Sequence, residues 1–191
     1  MNRYRPTWAK INLDHLAHNL KEAQKYAKGK TVIPVIKANA YGHGAKEIFT
    51  YLLKQGINFF AVSLLEEALE LRALDQEAEI LMLGPILTQD LEIASLNNIQ
   101  ITMYNEEILK AVITSTYPLK IHVKVDTGMS RYGLKEPLQV IQAMNELQHQ
   151  SHIDVVGIYT HFATANEDEN FYDKQLNLMK YILDHLENKP R

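Results

Sequence analysis

VIPVIKANAYGHGA, residues 32–45, decides the fold: five apolar or proline positions run straight into Lys37, and a small polar loop with Gly42, His43 and Gly44 follows. An apolar, β-branched run of this length has the composition of a strand covered on both faces. Lys37 then stands at the C-terminal end of a buried strand. Working outward, runs of the same kind recur at FFAVS (59–63), EILMLG (79–84), QITMY (100–104), KIHVKVD (120–126) and DVVGIYTH (154–161). Segments of helical period lie between them. Leu13, Leu16, Leu20, Ala23 and Ala27 share one face ahead of the first run. Ser63 and Glu66 have the spacing of a capping box before LLEEALELRAL, and Thr88 and Asn105 stand where later helices need caps. Strands that alternate with helices pair in parallel through right-handed crossovers, which leaves a doubly wound sheet or a (β/α) barrel.

A dinucleotide-binding sheet wants a G-x-G-x-x-G turn after an early strand, and Gly42 and Gly44 lack the third glycine and the spacing. The polar residues instead gather at the C-terminal ends of several strands: Lys37 on the first run, Arg131 just after the fifth, His161 at the end of the sixth. Barrel active sites are built there. TWAKINLD (7–14) is a further alternating stretch, expected to pair outside the barrel.

Composition excludes several classes of function. With 191 residues, 46% hydrophobic and 23% charged, the chain can bury a core, and a net charge of −3 without a basic block argues against nucleic acid. The absence of cysteine removes disulfides and thiolate chemistry. NEDEN (166–170) reads as the solvated start of a helix, so no metal is expected. No apolar run approaches the ~20 residues of a membrane span, and MNRYRPTW lacks the apolar core of a signal peptide, so a cytoplasmic protein with no membrane partner is expected.

A strand-end lysine ordinarily snorkels to solvent. The sharper reading of Lys37 is a Schiff-base lysine, whose amine is made nucleophilic by partial desolvation on the apolar strand. Taken singly, His161 reads as a satisfied semi-buried histidine, Tyr41 as a packing tyrosine and Arg131 as a turn cap; Met129, His15, His18 and His43 keep such ordinary roles.

VIKANAYGHG, LGP (83–85), VKVDTGMSRYG (123–133) and GIYTHFATA (157–165) resemble, in order and approximate spacing, the N-terminal domain of alanine racemase. The likeness runs from about Thr7 to Gln175 or beyond. It implies an α/β fold, a (β/α)8 TIM-type barrel, carrying pyridoxal 5'-phosphate on Lys37, and the interconversion of L- and D-alanine for cell-wall peptidoglycan. Lys37 would also be one of two catalytic bases. Tyr41 resembles the tyrosine that hydrogen-bonds the cofactor phosphate, and Arg131 the arginine near its phenolic oxygen and the substrate carboxylate. His161 resembles the histidine beside the pyridine ring, and Leu83 an apolar wall. Lys124 matches a lysine that is carbamylated in some members and orients the arginine. The second base of the family is a tyrosine from the C-terminal domain of a partner subunit.

About six of the eight barrel strands are counted within residues 1–191, against roughly 250 residues for a complete barrel. The chain is therefore expected to be an N-terminal piece of a homodimeric racemase that lacks the C-terminal β domain. Open sheet edges lead us to expect self-association, and the missing base to expect little activity. A serine or broad-specificity racemase and a non-catalytic pyridoxal-phosphate-binding barrel are the alternatives.

Overall fold

The structure, a computed structural model, describes residues 7–165 and 167–190; Asn166 of NEDEN and residues 1–6 of MNRYRPTW lie outside the described residues. The chain divides into two compact units, Met1–Ile80 and Leu81–Arg191.

The first unit opens with α1 (Leu13–Tyr26), capped by Asn12, whose Oδ1 accepts from the amides of Asp14 (2.9 Å) and His15 (3.2 Å). TWAKINLD does not form the expected strand. Residues 7–12 carry no strand pairing, and Asn12 diverts the stretch into a helix. Of the predicted apolar face, Leu20 is buried, Leu16 and Ala27 are half-buried, and Leu13 and Ala23 are exposed.

The expected strand at 32–37 is also absent as such. It is reduced to one parallel bridge, Val35 with Ala61, in which the Ile36 amide donates to the Ala61 carbonyl and the Ala61 amide to the Pro34 carbonyl, both at 2.9 Å. Pro34 has no N–H to extend the ladder on one side. On the other side Lys37 opens α2 (Lys37–Tyr41), a single turn whose inner residues leave the extended region altogether. Lys37 therefore heads a turn and does not end a strand.

The unit is completed by α3 (Ala45–Lys54), β1 (Phe59–Val62) and α4 (Leu65–Arg72). Phe49 of α3 meets Phe60 of β1 with ring centroids 4.5 Å apart, both fully buried. The capping box expected from Ser63 and Glu66 does not form, and only its reciprocal half is made, one residue later, by Glu67. β1 ends at Val62, Leu64 is the cap residue, and the Glu67 Oε2 accepts from the amides of Ser63 (2.8 Å) and Leu64 (3.0 Å).

Strand β2 (Glu79–Met82) spans the unit boundary, and the second unit continues with α5 (Leu91–Leu96), β3 (Gln100–Met103), α6 (Glu106–Thr114), β4 (Leu119–Lys124), α7 (Pro137–Gln148), β5 (Ile153–Tyr159) and α8 (Glu169–Asp184). Strand order follows chain order through five strands, and the pairings β2–β3, β3–β4 and β4–β5 are all parallel. That is an α/β arrangement with a parallel sheet, with five formed strands among the described residues and the Val35 bridge standing where a sixth was expected. Asn105 caps α6 as predicted, accepting from the Ile108 amide at 2.9 Å. Thr88 opens a short 3-10 turn and makes no side-chain cap. Asp168, within NEDEN, caps α8 by accepting from the Phe171 amide at 3.0 Å.

Period-two alternation puts two chemistries on the two faces of β3 and β4. Ile101, Met103, Ile121 and Val123 make an apolar face without measurable exposure. Gln100, Thr102, His122 and Lys124 take the alternate positions and are buried as well. The register sets Thr102 beside His122, His122 beside Gly157 and Lys124 beside Tyr159. A glycine is needed at 157, where a Cβ would lie 2.5 Å from the His122 Nδ1. The result is a polar layer that rises along the sheet toward Lys124.

Candidate active site

In the first unit the site is a strained turn. Ala38 (φ 51°, ψ 50°), Asn39 (φ 54°, ψ 46°), Ala40 (φ 52°, ψ 47°) and Tyr41 (φ 54°) are four successive non-glycine residues in the left-handed region, and Gly42 (φ 84°) follows. Each such residue costs roughly 1–2 kcal/mol, so the turn stores roughly 4–8 kcal/mol that its surroundings must offset. Backbone bonds do part of this: the Ala40 amide donates to the Ile36 carbonyl (3.0 Å), Gly42 to those of Ala38 and Asn39 (3.1 Å each), and Gly44 to that of Asn39 (3.0 Å). Two side chains add to it. Asn39 Oδ1 accepts from the Ala45 amide at 2.8 Å, tying the turn to the start of α3, and Glu67 Oε1 accepts from the Ala38 amide at 2.5 Å.

Lys37 is half-buried at the head of this turn, and Tyr41, at its end, is 60% exposed. Tyr41 lines a cavity of about 540 Å³ together with Lys10, His15, Val35, Ile36 and His43, an apolar wall with a basic and hydroxyl-bearing rim. Lys37 is not among the lining residues. The turn therefore brings the two residues into one element without placing both in that cavity.

In the second unit the site is built around Lys124. Its side chain is 2% exposed, its Nζ donates to the Val125 carbonyl at 3.2 Å, and the ammonium lies 5.4 Å from the Tyr132 ring centroid and 5.3 Å from that of Tyr159. Burial pushes the Lys124 amine below the usual lysine range; the charge of Asp126 opposes this and that of Arg131 adds to it. The two tyrosines converge on Leu83, whose carbonyl accepts from the Tyr132 hydroxyl at 2.6 Å and, more loosely, from that of Tyr159 at 3.5 Å. Burial holds the Tyr159 phenol well above its ordinary value, and its hydroxyl lies 3.0 Å from Thr102 Oγ1, which donates to the Met82 carbonyl at 2.8 Å.

Arg131 is exposed, with its guanidinium 5.4 Å from the Tyr132 ring centroid. The loop that presents it is folded around Asp126, whose Oδ1 accepts from the amides of Gly128 (3.1 Å) and Ser130 (2.9 Å). Burial pushes the Asp126 carboxyl up, but those two amides and the charges of Lys135 and Lys124 outweigh it and hold it below the usual range. Gly133 is required at the close of the loop: at φ 127° a Cβ would sit 2.9 Å from the Asp126 amide nitrogen.

His161 is exposed just beyond β5. Its backbone is tied to the Asp126 loop through Gln175 of α8, which is fully buried. The Gln175 Oε1 accepts from the Ala163 amide (2.9 Å), while Nε2 donates to the His161 carbonyl (3.2 Å) and to Thr127 Oγ1 (3.1 Å). Thr127 Oγ1 in turn lies 2.8 Å from Thr160 Oγ1. Gln175→Leu would remove all three hydrogen bonds made by this fully buried side chain, at a cost of about 2 kcal/mol. The expected outcome is a lower urea midpoint together with faster amide exchange at Ala163, read by NMR.

Leu83, Lys124 and Arg131 are thus linked through the rings of Tyr132 and Tyr159, and His161 joins them through Gln175. Tyr132, Tyr159, Thr102, Glu67 and Gln175 were not singled out from the sequence. Their signal was weak, since each is an ordinary residue whose part is played through a partner distant along the chain.

Residues 11–191 match the family model described as alanine racemase, N-terminal domain. The chain is 37% identical over 190 residues to an alanine racemase of Clostridium tetani, covering 97% of this chain and 49% of that protein. It superposes on the alanine racemase of E. faecalis with a TM-score of 0.88 at 35% identity, covering 94% of this chain and 50% of that one. It superposes on a histidine racemase from Leuconostoc mesenteroides with a TM-score of 0.85 at 29% identity, covering 93% and 49%. The chain spans about half the length of the curated relatives it matches.

Proposed function

The chain belongs to the family of the alanine racemase N-terminal domain, and from that premise we propose that it supplies the cofactor lysine, one catalytic base and the arginine of a racemase that interconverts L- and D-alanine. The observation that carries the reading is the VIKANAYGHG motif folded as a strained turn with Lys37 at its head, because strain of this size persists where function requires it.

By the chemistry of their side chains the proposed residues suit pyridoxal 5'-phosphate. Lys37 offers an amine for the aldehyde and Tyr41 a hydroxyl for the phosphate, while Arg131 offers a guanidinium for anionic oxygens and His161 and Leu83 offer surfaces for the ring. When bound, the cofactor supplies the electron sink that stabilises negative charge at the substrate α-carbon. Lys37 Nζ takes the α-proton from one face or returns it to that face. Arg131 holds the substrate carboxylate. The tyrosine that serves the opposite face in the family belongs to the C-terminal domain of a partner subunit, so residues 1–191 by themselves are expected to racemise little. A homodimer of the whole racemase, in the cytoplasm and serving peptidoglycan, completes the proposal.

Lys124 is proposed to form a carbamate: its neutral amine adds to carbon dioxide and releases one proton to solvent, leaving an anion near Arg131. Burial supports this by favouring the neutral amine. In ¹³C-bicarbonate buffer, a carbamate resonance is expected in the wild type and not in Lys124→Met; equal spectra would exclude the modification.

Borohydride reduction after incubation with pyridoxal phosphate, followed by peptide mapping, tests the main reading. Label concentrated on Lys37 is the expected result, and label scattered over exposed lysines would overturn it. The likeness to a histidine racemase favours a second reading, in which the same machinery serves another amino acid. α-Proton exchange in deuterium oxide with alanine, serine and histidine in turn separates the two.

A further inference from the structure

We propose that Glu67 is a positioning residue for Lys37, its carboxylate clamping the left-handed turn from α4. The inference rests on the reading of Lys37 as the cofactor lysine. The Ala38 amide belongs to the peptide unit that leaves Lys37, and Glu67 Oε1 accepts its proton. The other oxygen, Oε2, accepts from the amides of Ser63 and Leu64 at the end of β1 and the cap of α4. One carboxylate thus joins three N–H groups, one on the turn and two at a fixed point of the fold.

The chemistry requires a carboxylate. Three donors arriving from two directions need two acceptor oxygens, and glutamine offers one. The conformation requires an outside hold, because Ala38 sits at φ 51° without the freedom of glycine. Rotation of the Lys37–Ala38 peptide unit would carry this N–H away from Glu67 and redirect the backbone on either side of it, that of Lys37 included. Glu67 thereby opposes relaxation of the turn at the residue next to the nucleophilic amine, while its second oxygen caps α4.

The two roles separate experimentally against Asn105→Ala, which removes the side-chain cap of α6 and leaves the turn alone. Amide exchange at Ala38 and the share of borohydride-trapped pyridoxyl on Lys37, relative to exposed Lys46 and Lys54, are compared in the wild-type chain, Glu67→Ala, Glu67→Gln and Asn105→Ala. Glu67→Ala is expected to speed exchange at Ala38 at least tenfold beyond Asn105→Ala and to shift label from Lys37 to the exposed lysines. Glu67→Gln, with its volume kept and one acceptor oxygen left, is expected to lie between, and it carries the test if the alanine variant does not fold. Exchange at Ala38 and a Lys37 share equal to those of Asn105→Ala would overturn the proposal and leave Glu67 a helix cap. Absence of label on Lys37 in the wild type would defeat the cofactor reading instead, with exchange at Ala38 still deciding the clamp.

Discussion

Lys37→Ala is expected to lose the pyridoxyl label of peptide 32–45 entirely and, in a complete racemase, to lower turnover by on the order of 10⁴-fold. The size follows from one side chain holding two tasks. On the proposed reading its amine would be the covalent anchor of the cofactor, and the same nitrogen would carry the α-proton on one face of the substrate. Loss of a positioned proton carrier alone costs about 10²–10⁴-fold, and loss of the anchor adds to it. The fold should be indifferent: Lys37 is half-buried, and the bonds described for the turn come from backbone groups, Asn39 and Glu67, so the urea midpoint should stay within about 0.5 kcal/mol of wild type. Intact folding with abolished label is the expected pair of results. Label persisting at wild-type level in the variant would move the anchor elsewhere.

The strand-helix alternation was legible because it depends on local period. All five formed strands fall within the apolar runs at 59–63, 79–84, 100–104, 120–126 and 154–161, give or take a residue at the ends. Where sequence reasoning failed, a short-range signal lost to a backbone constraint. VIPVIK has the composition of a strand, yet Pro34 withholds a donor and the four left-handed residues after Lys37 end any extended run. Nothing in an Ala-Asn-Ala-Tyr sequence announces positive φ, since alanine and tyrosine rarely adopt it. Lys37, Arg131 and His161 stood out from their place at the ends of apolar runs, the roles of these and of Tyr41 and Lys124 came from the resemblance, and the structure gives their local settings. The residues that hold them, Glu67 and Gln175, were hidden because a brace is defined by what it touches. Glu66 was singled out one position from Glu67, which shows how little a cap pattern says about which carboxylate reaches back.

His122 leads to the second large prediction, which concerns acid stability. Its Nε2 donates to the Gln100 Oε1 at 2.6 Å, and burial pushes its pKa down from 6.5 to about 4, with the Asp154 charge opposing the shift. The folded chain therefore keeps this imidazole neutral where the unfolded chain protonates it. Between pH 6.5 and 4 the unfolded state binds the extra proton, so stability rises with pH across that window and falls on acidification. The contribution is intact above pH 6.5, about 2 kcal/mol of it is gone by pH 5, and about 3 kcal/mol is lost once the pH falls below 4. His122→Gln removes the titration while keeping a polar side chain beside Gln100. Carboxylates that titrate in the same range are common to both proteins, so the difference between them isolates the histidine. Urea unfolding at pH 7, 6, 5 and 4.5 should show the gap between wild type and variant shifting in favour of the variant as pH falls, by about 2 kcal/mol at pH 5. Parallel pH profiles would mean that His122 binds its proton in the fold as it does in the unfolded chain, and that the polar layer beneath Lys124 is open to water.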